Sequence, residues 1–291
     1  MTNNYKENYL EENLYIYRFT FLRKSIMEIA SICSGSSGNC ILVKSGDTNI
    51  LVDVGISNKR IEDGLDFFGT SPNEIDAILI THEHSDHIKG IGVFLRAHPV
   101  SVYATRGTID YILSSSSTGE VDEELFEEIE SGEEFFVGDI KINAISTSHD
   151  ASDSVCYRLD DGEKSCAIVT DLGYYHDELV SSLMDLNAIL IEANHDLKML
   201  EVGPYPYHLK SRIWSDIGHL SNEACGQLLS EIISDRMQYI ILGHLSKDNN
   251  YPELAFETVR NELMFNDIDI NKMEIEIQVA RRDQPSCDII L

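Results

Sequence analysis

The stretch Thr81-His82-Glu83-His84-Ser85-Asp86-His87 follows directly on the apolar run Ala77-Ile78-Leu79-Ile80. An apolar run that ends in a polar cluster reads as a buried strand running out into a loop. His82 and His84 alternate, so they leave the strand end on the same side. Asp86 and His87 lie one step further, where the chain turns into Ile88-Lys89-Gly90. One pair of side chains can then hold one cation and the next pair a second cation beside it. Neutral imidazole together with carboxylate suits zinc, iron or manganese.

More ligand-type residues occur at strand ends. His149 follows Ile145-Ser146-Thr147-Ser148, Asp171 follows Ala167-Ile168-Val169-Thr170, and His244 follows Ile240-Ile241-Leu242-Gly243. His219 stands between Gly218 and Leu220, ahead of a helix from Ser221 to Ser234. A lone histidine or aspartate at a strand end is more often structural than a ligand, and Asp is a common helix cap. The group reads differently, because His82 and His84 need a third ligand and Asp86 and His87 need partners.

The strand-and-helix pattern falls into two halves, each of strands followed by helices with polar residues at strand ends. Two sheets packed face to face with helices outside, an α/β sandwich of αββα layers, bury such a pattern. Met27 to Ile32 reads as an edge strand, and Ile88 to Ala97 as one helix. The acidic stretch Glu120-Val121-Asp122-Glu123-Glu124-Leu125-Phe126-Glu127-Glu128-Ile129-Glu130 reads as a solvated helical face. A helix near 252–263 and a strand at 273–279 close the pattern. Residues 1–26 are polar and irregular and read as a poorly ordered extension or a start-site artefact, with residues 27–291 as one domain.

The chain has 291 residues, 43% of them apolar, which suits a globular fold. No segment approaches the ~20 apolar residues that cross a bilayer, and no signal peptide is evident near the start. Cys33, Cys40, Cys156, Cys166, Cys225 and Cys287 are scattered without a C-x-x-C pair, as expected of reduced thiols in a cytoplasm. The formal charge of −28 repels polyanions at long range and counts against nucleic acid as a substrate. Bound metal ions reverse that sign locally.

The motif H-x-H-x-D-H, here His82, His84, Asp86 and His87, resembles that of the metallo-β-lactamase superfamily. The resemblance covers roughly residues 28 to 250. It implies that His82, His84 and His149 take one metal, that Asp86, His87 and His244 take a second, and that Asp171 bridges them. It implies two divalent cations (Zn²⁺, Mn²⁺ or Fe²⁺) sharing a hydroxide nucleophile, with Asp86 in the catalytic as well as the metal-holding set. Asp53, in Val52-Asp53-Val54-Gly55, matches a residue that orients the metal loop, although a turn-capping role fits it equally.

His87 after Asp86 is similar to the pattern of glyoxalase II and of the phosphodiesterase branch. Ile191-Glu192-Ala193-Asn194-His195, Gly218-His219-Leu220-Ser221 and Leu242-Gly243-His244-Leu245-Ser246 resemble the transfer-RNA 3′-processing endonuclease RNase Z, without its long flexible arm. That likeness implies that Glu192 charges and orients His219, which protonates the leaving oxygen. Cys33-Ser34-Gly35-Ser36-Ser37-Gly38-Asn39-Cys40, the run from Glu192 to Asp196 and Gly203-Pro204-Tyr205-Pro206-Tyr207-His208-Leu209-Lys210-Ser211-Arg212 look like the YycJ/WalJ family of bacterial metallo-hydrolases. The expectation is a cytoplasmic 5′-to-3′ DNA exonuclease, with RNA as a less favoured substrate. The alternative is a glyoxalase II-like thioesterase or lactonase on the same centre. Lys210 and Arg212 suit phosphates beside stacking tyrosines, or belong to a solvated loop. Ser34, Ser36, Ser37 and Asn39 suit a Gly-rich phosphate nest, or form only a tight turn. Oligomeric state is not legible.

Overall fold

The computed structural model describes residues 26–291. The expected extension at 1–26 lies, except for Ile26, outside the described residues. Two seven-stranded mixed sheets form the centre. The first runs, in spatial order, β14 (Ser286–Ile290), β1 (Met27–Cys33), β2 (Cys40–Ser45), β3 (Thr48–Val52), β4 (Ala77–Leu79), β5 (Ser101–Thr105) and β6 (Phe126–Ile129). The second runs β13 (Glu276–Val279), β12 (Tyr239–Gly243), β11 (Ala188–Glu192), β10 (Ser165–Val169), β9 (Val155–Asp160), β8 (Ile140–Ser146) and β7 (Glu134–Val137).

Side chains alternate between sheet faces, so each central strand feeds two cores. Ile50 and Val52 of β3 and Ile168, Leu190 and Ile241 of the second sheet meet between the sheets. Leu51 and Ile78 face outward onto Ile61 and Leu65 of helix Asn58–Phe67 and Phe94 of helix Ile91–Ala97. On the other side, Ala167, Ile189, Ile191 and Leu242 meet Leu228, Leu229 and Val259 of helices Asn222–Ile232 and Pro252–Phe265. Both faces of the central strands are thus apolar, which is why they read as unbroken runs of Ile, Leu, Val and Ala. Each fully buried aliphatic side chain contributes about 1.5–3 kcal/mol. The αββα sandwich expected from the sequence is borne out.

Four local expectations are corrected. The strand from Met27 is not an edge. β14 pairs with it antiparallel, Glu28 opposite Ile290, and buries all but one of its residues. The acidic stretch is not a helix. It forms a single 3₁₀ turn, Glu123–Leu125, and then β6, whose Glu127 and Glu128 are exposed at the sheet edge. Charged residues on an edge strand block pairing with other chains. The helix expected from Ile88 is two helices, Ser85–Ile88 and Ile91–Ala97, broken at Lys89 and Gly90. The polar segment around residues 203–212 carries a short helix, Tyr207–Ile213, packed after another, Leu197–Val202.

Strand direction gathers the chemistry at one end. β3 and β4 are parallel, as are β10, β11 and β12. β8 is antiparallel to β9, which is antiparallel to β10, so β8 and β10 run the same way. The residues after β3, β4, β8, β10 and β12 therefore leave the sandwich on a common edge, where open α/β sheets place their ligands.

The turn carrying Asp86 and His87 is held backbone to backbone against the end of β3. Val54 N–H donates to His87 O (2.9 Å), Gly90 N–H to Val54 O (2.8 Å) and Asn39 N–H to Asp86 O (2.8 Å). Gly55 is required by this approach, since a Cβ there would lie 1.6 Å from Asp86 O. Gly55→Ala is expected to lower stability by about 3 kcal/mol, an overpacking cost that only backbone movement relieves. Chemical denaturation of the purified variant checks the value, and a midpoint equal to wild type would contradict the clamp.

Candidate metal centre and its flanking acid

The histidines arrive with their tautomers set by outward hydrogen bonds. His149 Nδ1 donates to Gly218 O at 2.9 Å, which turns Nε2 inward. His87 Nδ1 lies 2.7 Å from Asp53 Oδ2, and His244 Nδ1 lies 2.8 Å from Glu192 Oε1. Each of these partners fixes the ring and leaves the other nitrogen facing the centre, the arrangement that metal-ligating histidines use. His82 Nδ1 is 3.1 Å from Thr81 Oγ1. Thr81 in turn gives its N–H to Asp53 Oδ1 at 2.9 Å. Asp53 thus bonds to the loop at both His87 and Thr81.

Four overlapping donor groups result, in each of which all ligand atoms lie within 4.8 Å of one another. They are His82/His84/His149, Asp86/His87/His244, His82/His87/Asp171, and Asp171/Glu192/His219/His244. All seven expected ligand positions converge, drawn from both sheets. His149 Nε2 comes within 3.3 Å of His84 Nδ1, so His84 faces inward through Nδ1 while its Nε2 bonds Asp150 O. Asp171 sits at the middle. Its Oδ2 is 3.0 Å from His87 Nε2, off the line of a hydrogen bond, and its Oδ1 is 3.6 Å from His149 Nε2.

These residues fit a divalent cation on evidence of their own. His82 Nε2 and Asp171 Oδ2 are buried and have no hydrogen-bond partner. A buried acceptor without a donor is costly, and a cation between such atoms removes the cost. Burial holds His82 well below the ordinary imidazole pKa, so it offers a neutral ring, the form that binds a cation.

Three of the seven described non-glycine residues in left-handed backbone belong to the site: Asp53 (φ 60), Asp171 (φ 59) and His244 (φ 53). Non-glycine residues occupy that region at a cost, and they cluster at functional sites. At the strand ends Asp171 and His244 reach the centre from this αL conformation, and the residues after them, Leu172 and Leu245, return to the core. Nothing in the sequence signals it, although Asp and His tolerate it better than branched residues do.

Glu192 is fully buried and serves two rings. Oε1 accepts from His219 Nδ1 at 2.7 Å and from His244 Nδ1 at 2.8 Å. Oε2 accepts from the N–H groups of Leu172 and Leu220, both at 3.2 Å. Burial raises the carboxyl, but the charges and bonds of His219 and His244 outweigh it and bring it down to about 2. Burial also lowers His219, yet the charge and hydrogen bond of Glu192 win and hold its pKa above the ordinary imidazole value. The Glu192–His219 pair expected from the sequence is in contact. Its sharing with His244 was not visible there.

The other expected residues are placed as follows. Ser34 Oγ accepts the His244 N–H at 2.9 Å, and Asn39 Oδ1 accepts from Gly35 N–H at 3.0 Å. Both are buried and committed inside the protein, while Ser36 and Ser37 are exposed. Asn39 Nδ2 lies 3.2 Å from His87 Nε2, so its amide faces the centre. Lys210 Nζ bonds Glu201 O, and Tyr205 bonds Asp248. Arg212 forms a two-pronged pair with Asp150, through Nε to Oδ2 and through Nη2 to Oδ1. Asp150 was missed in the sequence, where its position directly after His149 was the available signal. Glu83 was also missed. Its Oε1 accepts from the N–H and the hydroxyl of Ser152, each at 2.8 Å, tying the metal loop to the chain after His149.

Residues 48–240 match the model of the β-lactamase superfamily domain. The chain is 41% identical over 239 residues to exodeoxyribonuclease WalJ of Streptococcus pneumoniae, covering 82% of this chain and 89% of that protein. It is 35% identical over 240 residues to exodeoxyribonuclease YycJ of Bacillus anthracis, covering 81% and 89% respectively. In fold it is similar to the metallo-β-lactamase fold protein YhfI of Bacillus subtilis, with a TM-score of 0.64, 18% identity and coverage of 90% of this chain and 99% of that one. The chain therefore belongs to the metallo-β-lactamase superfamily and, within it, to the family of the exodeoxyribonucleases WalJ and YycJ. Divalent-metal binding follows from that fold and these donor groups. Among the described residues no helix is long and apolar enough to cross a membrane, and all six cysteines are unpaired.

Proposed function

We propose that this chain is a two-metal phosphodiesterase that removes nucleotides from DNA in the 5′-to-3′ direction. Membership of a family of exodeoxyribonucleases makes it a metallo-β-lactamase-fold nuclease. The observation that carries the two-metal reading is the donor set. His82, His84 and His149 would hold one cation, Asp86, His87 and His244 the other, and Asp171 would stand between them. Divalent cations there supply Lewis-acid activation of water and neutralise charge that builds on phosphoryl oxygens.

The chain's own residues do the rest. Asp53, Gly218 O and Glu192 lock the rings of His87, His149 and His244, so the donors need no reorganisation during the reaction. Glu192 keeps a proton on His219 Nδ1 and favours the imidazolium. That leaves Nε2 to give its proton to the departing oxygen. His219 keeps a side-chain exposure of 16% at the edge of the buried centre, which suits a group that must meet a leaving strand. Residues 27–291 act as one domain in this reading. The six unpaired thiols support a reducing, cytoplasmic setting.

Digestion of end-labelled single- and double-stranded DNA, with and without a 5′ phosphate, across Mn²⁺, Mg²⁺ and Zn²⁺ tests the proposal. Stepwise loss from the 5′ end is expected, abolished by a chelator and restored by one of these ions. Intact DNA in every metal, together with hydrolysis of a glutathione thioester, would replace it with a glyoxalase II-like activity.

A further inference from the structure

A protein with 50 acidic and 22 basic residues has to draw a polyanion to its active edge with few cations. The Arg212 guanidinium stands beside the metal-ligand histidines. Asp150, which grips it, has Oδ1 3.4 Å from His149 Nε2 and 3.8 Å from His84 Nε2. Arg212 therefore lies one carboxylate away from the donors of the first cation. Asp150 is itself fixed. Its N–H donates to Ile217 O at 3.1 Å, and its own carbonyl takes the ring of His84 at 3.2 Å. The loop from Ser215 to Gly218 that carries Ile217 packs backbone to backbone on Gly173, two residues after Asp171.

Asp150 occupies only one edge of the guanidinium, Nε and Nη2. No hydrogen bond engages Nη1 among the described residues, and the side chain is 46% exposed. An arginine with half its fork anchored and half open is a preorganised receptor for a phosphate oxygen. An ion pair with no further purpose at this exposure would contribute little to stability. The neighbouring Lys210, by contrast, has its ammonium on Glu201 O.

We infer that Arg212 binds the DNA phosphate next to the scissile one, and that Asp150 is the positioning residue that aims it. This rests on the nuclease reading above and adds the group that sets strand register on the metal centre. A phosphate contact of this kind releases counterions, so it shows in the salt dependence of binding as well as in affinity.

The test is the KM for a single-stranded, 5′-phosphorylated oligonucleotide, measured between about 50 and 200 mM salt. Arg212→Ala is expected to raise KM about tenfold or more and to flatten the slope of log affinity against log salt by about 0.7–1. The loss on DNA should exceed the loss on bis(p-nitrophenyl) phosphate, which has no neighbouring phosphate. Arg212→Lys keeps the charge and loses the fork, so it should keep the slope while KM still rises. Lys164→Ala removes the same charge at the far end of β10 and should change neither. If Arg212→Ala lowers the thermal midpoint, the lysine variant alone decides by its KM. Wild-type KM and slope in both Arg212 variants would overturn the inference. Failure of the wild-type protein to cut DNA would overturn the nuclease reading instead.

Discussion

Replacing His219 with alanine is expected to cut kcat on DNA by about 10²–10⁴-fold and to leave bound metal at the wild-type level. The first half follows from its place as the protonated ring beside the centre. Glu192 Oε1 at 2.7 Å and the nearby Asp171 carboxylate both favour the charged ring. The second half follows from geometry, because His219 turns its Nδ1 to Glu192 and stands outside both expected ligand sets, and Glu192 still holds the His244 ring without it. The loss should shrink for substrates whose leaving group needs no proton, such as a p-nitrophenyl ester. Metal analysis on the same preparation separates this role from that of a ligand. A variant that loses a cation, or that cleaves both substrates equally poorly, would remove His219 from the proton-transfer step.

Glu192→Gln is expected to be worse, and for two reasons at once. One carboxylate oxygen accepts from both His219 and His244. The amide oxygen can still accept from both rings but carries no charge, and the NH₂ end would face the N–H groups of both Leu172 and Leu220. Two donors opposed in a fully buried place cost about 1–3 kcal/mol. His244 loses the partner that fixes its ring, and losing such a partner costs about 10–100-fold in metal affinity. Activity should fall at least as far as in His219→Ala, with a weaker metal titration and a lower thermal midpoint. Retention of both cations at wild-type affinity would mean that Glu192 serves His219 alone.

What could be read in the sequence was whatever lies close along the chain or recurs at a fixed place in a strand. The cluster from His82 to His87 is local, so its meaning survived without any knowledge of the fold. Asp171 and His244 were visible because an apolar run buried on both faces precedes each, and His149 because it follows the alternating strand Ile140–Ser146. The contacts that complete the site were not local. Ser34 caps the His244 N–H from the opposite sheet, and Arg212 meets Asp150 across the loop that leads to His219. Neither pairing leaves a periodic trace. The Gly-rich turn at Ser34–Asn39 looked like an anion nest because its composition suits one. Its buried members instead brace the centre from below. β14 escaped notice because Cys287 and Asp288 interrupt the apolar alternation. β6 was mistaken because its glutamates outweigh Phe126 and Ile129, its two apolar residues, which pack on opposite faces of the sheet.

The pairing of β14 with β1 has a consequence for biosynthesis. Glu28 waits for Ile290, so the first sheet cannot be finished until residues 286–290, far downstream of β1, have left the ribosome. Until then β1 offers an apolar ribbon with an open side, which invites association with other nascent chains. Closure between such distant segments is slow. Maturation of the first sheet therefore lags behind the synthesis of β1, and its most vulnerable interval is the one just before β14 docks.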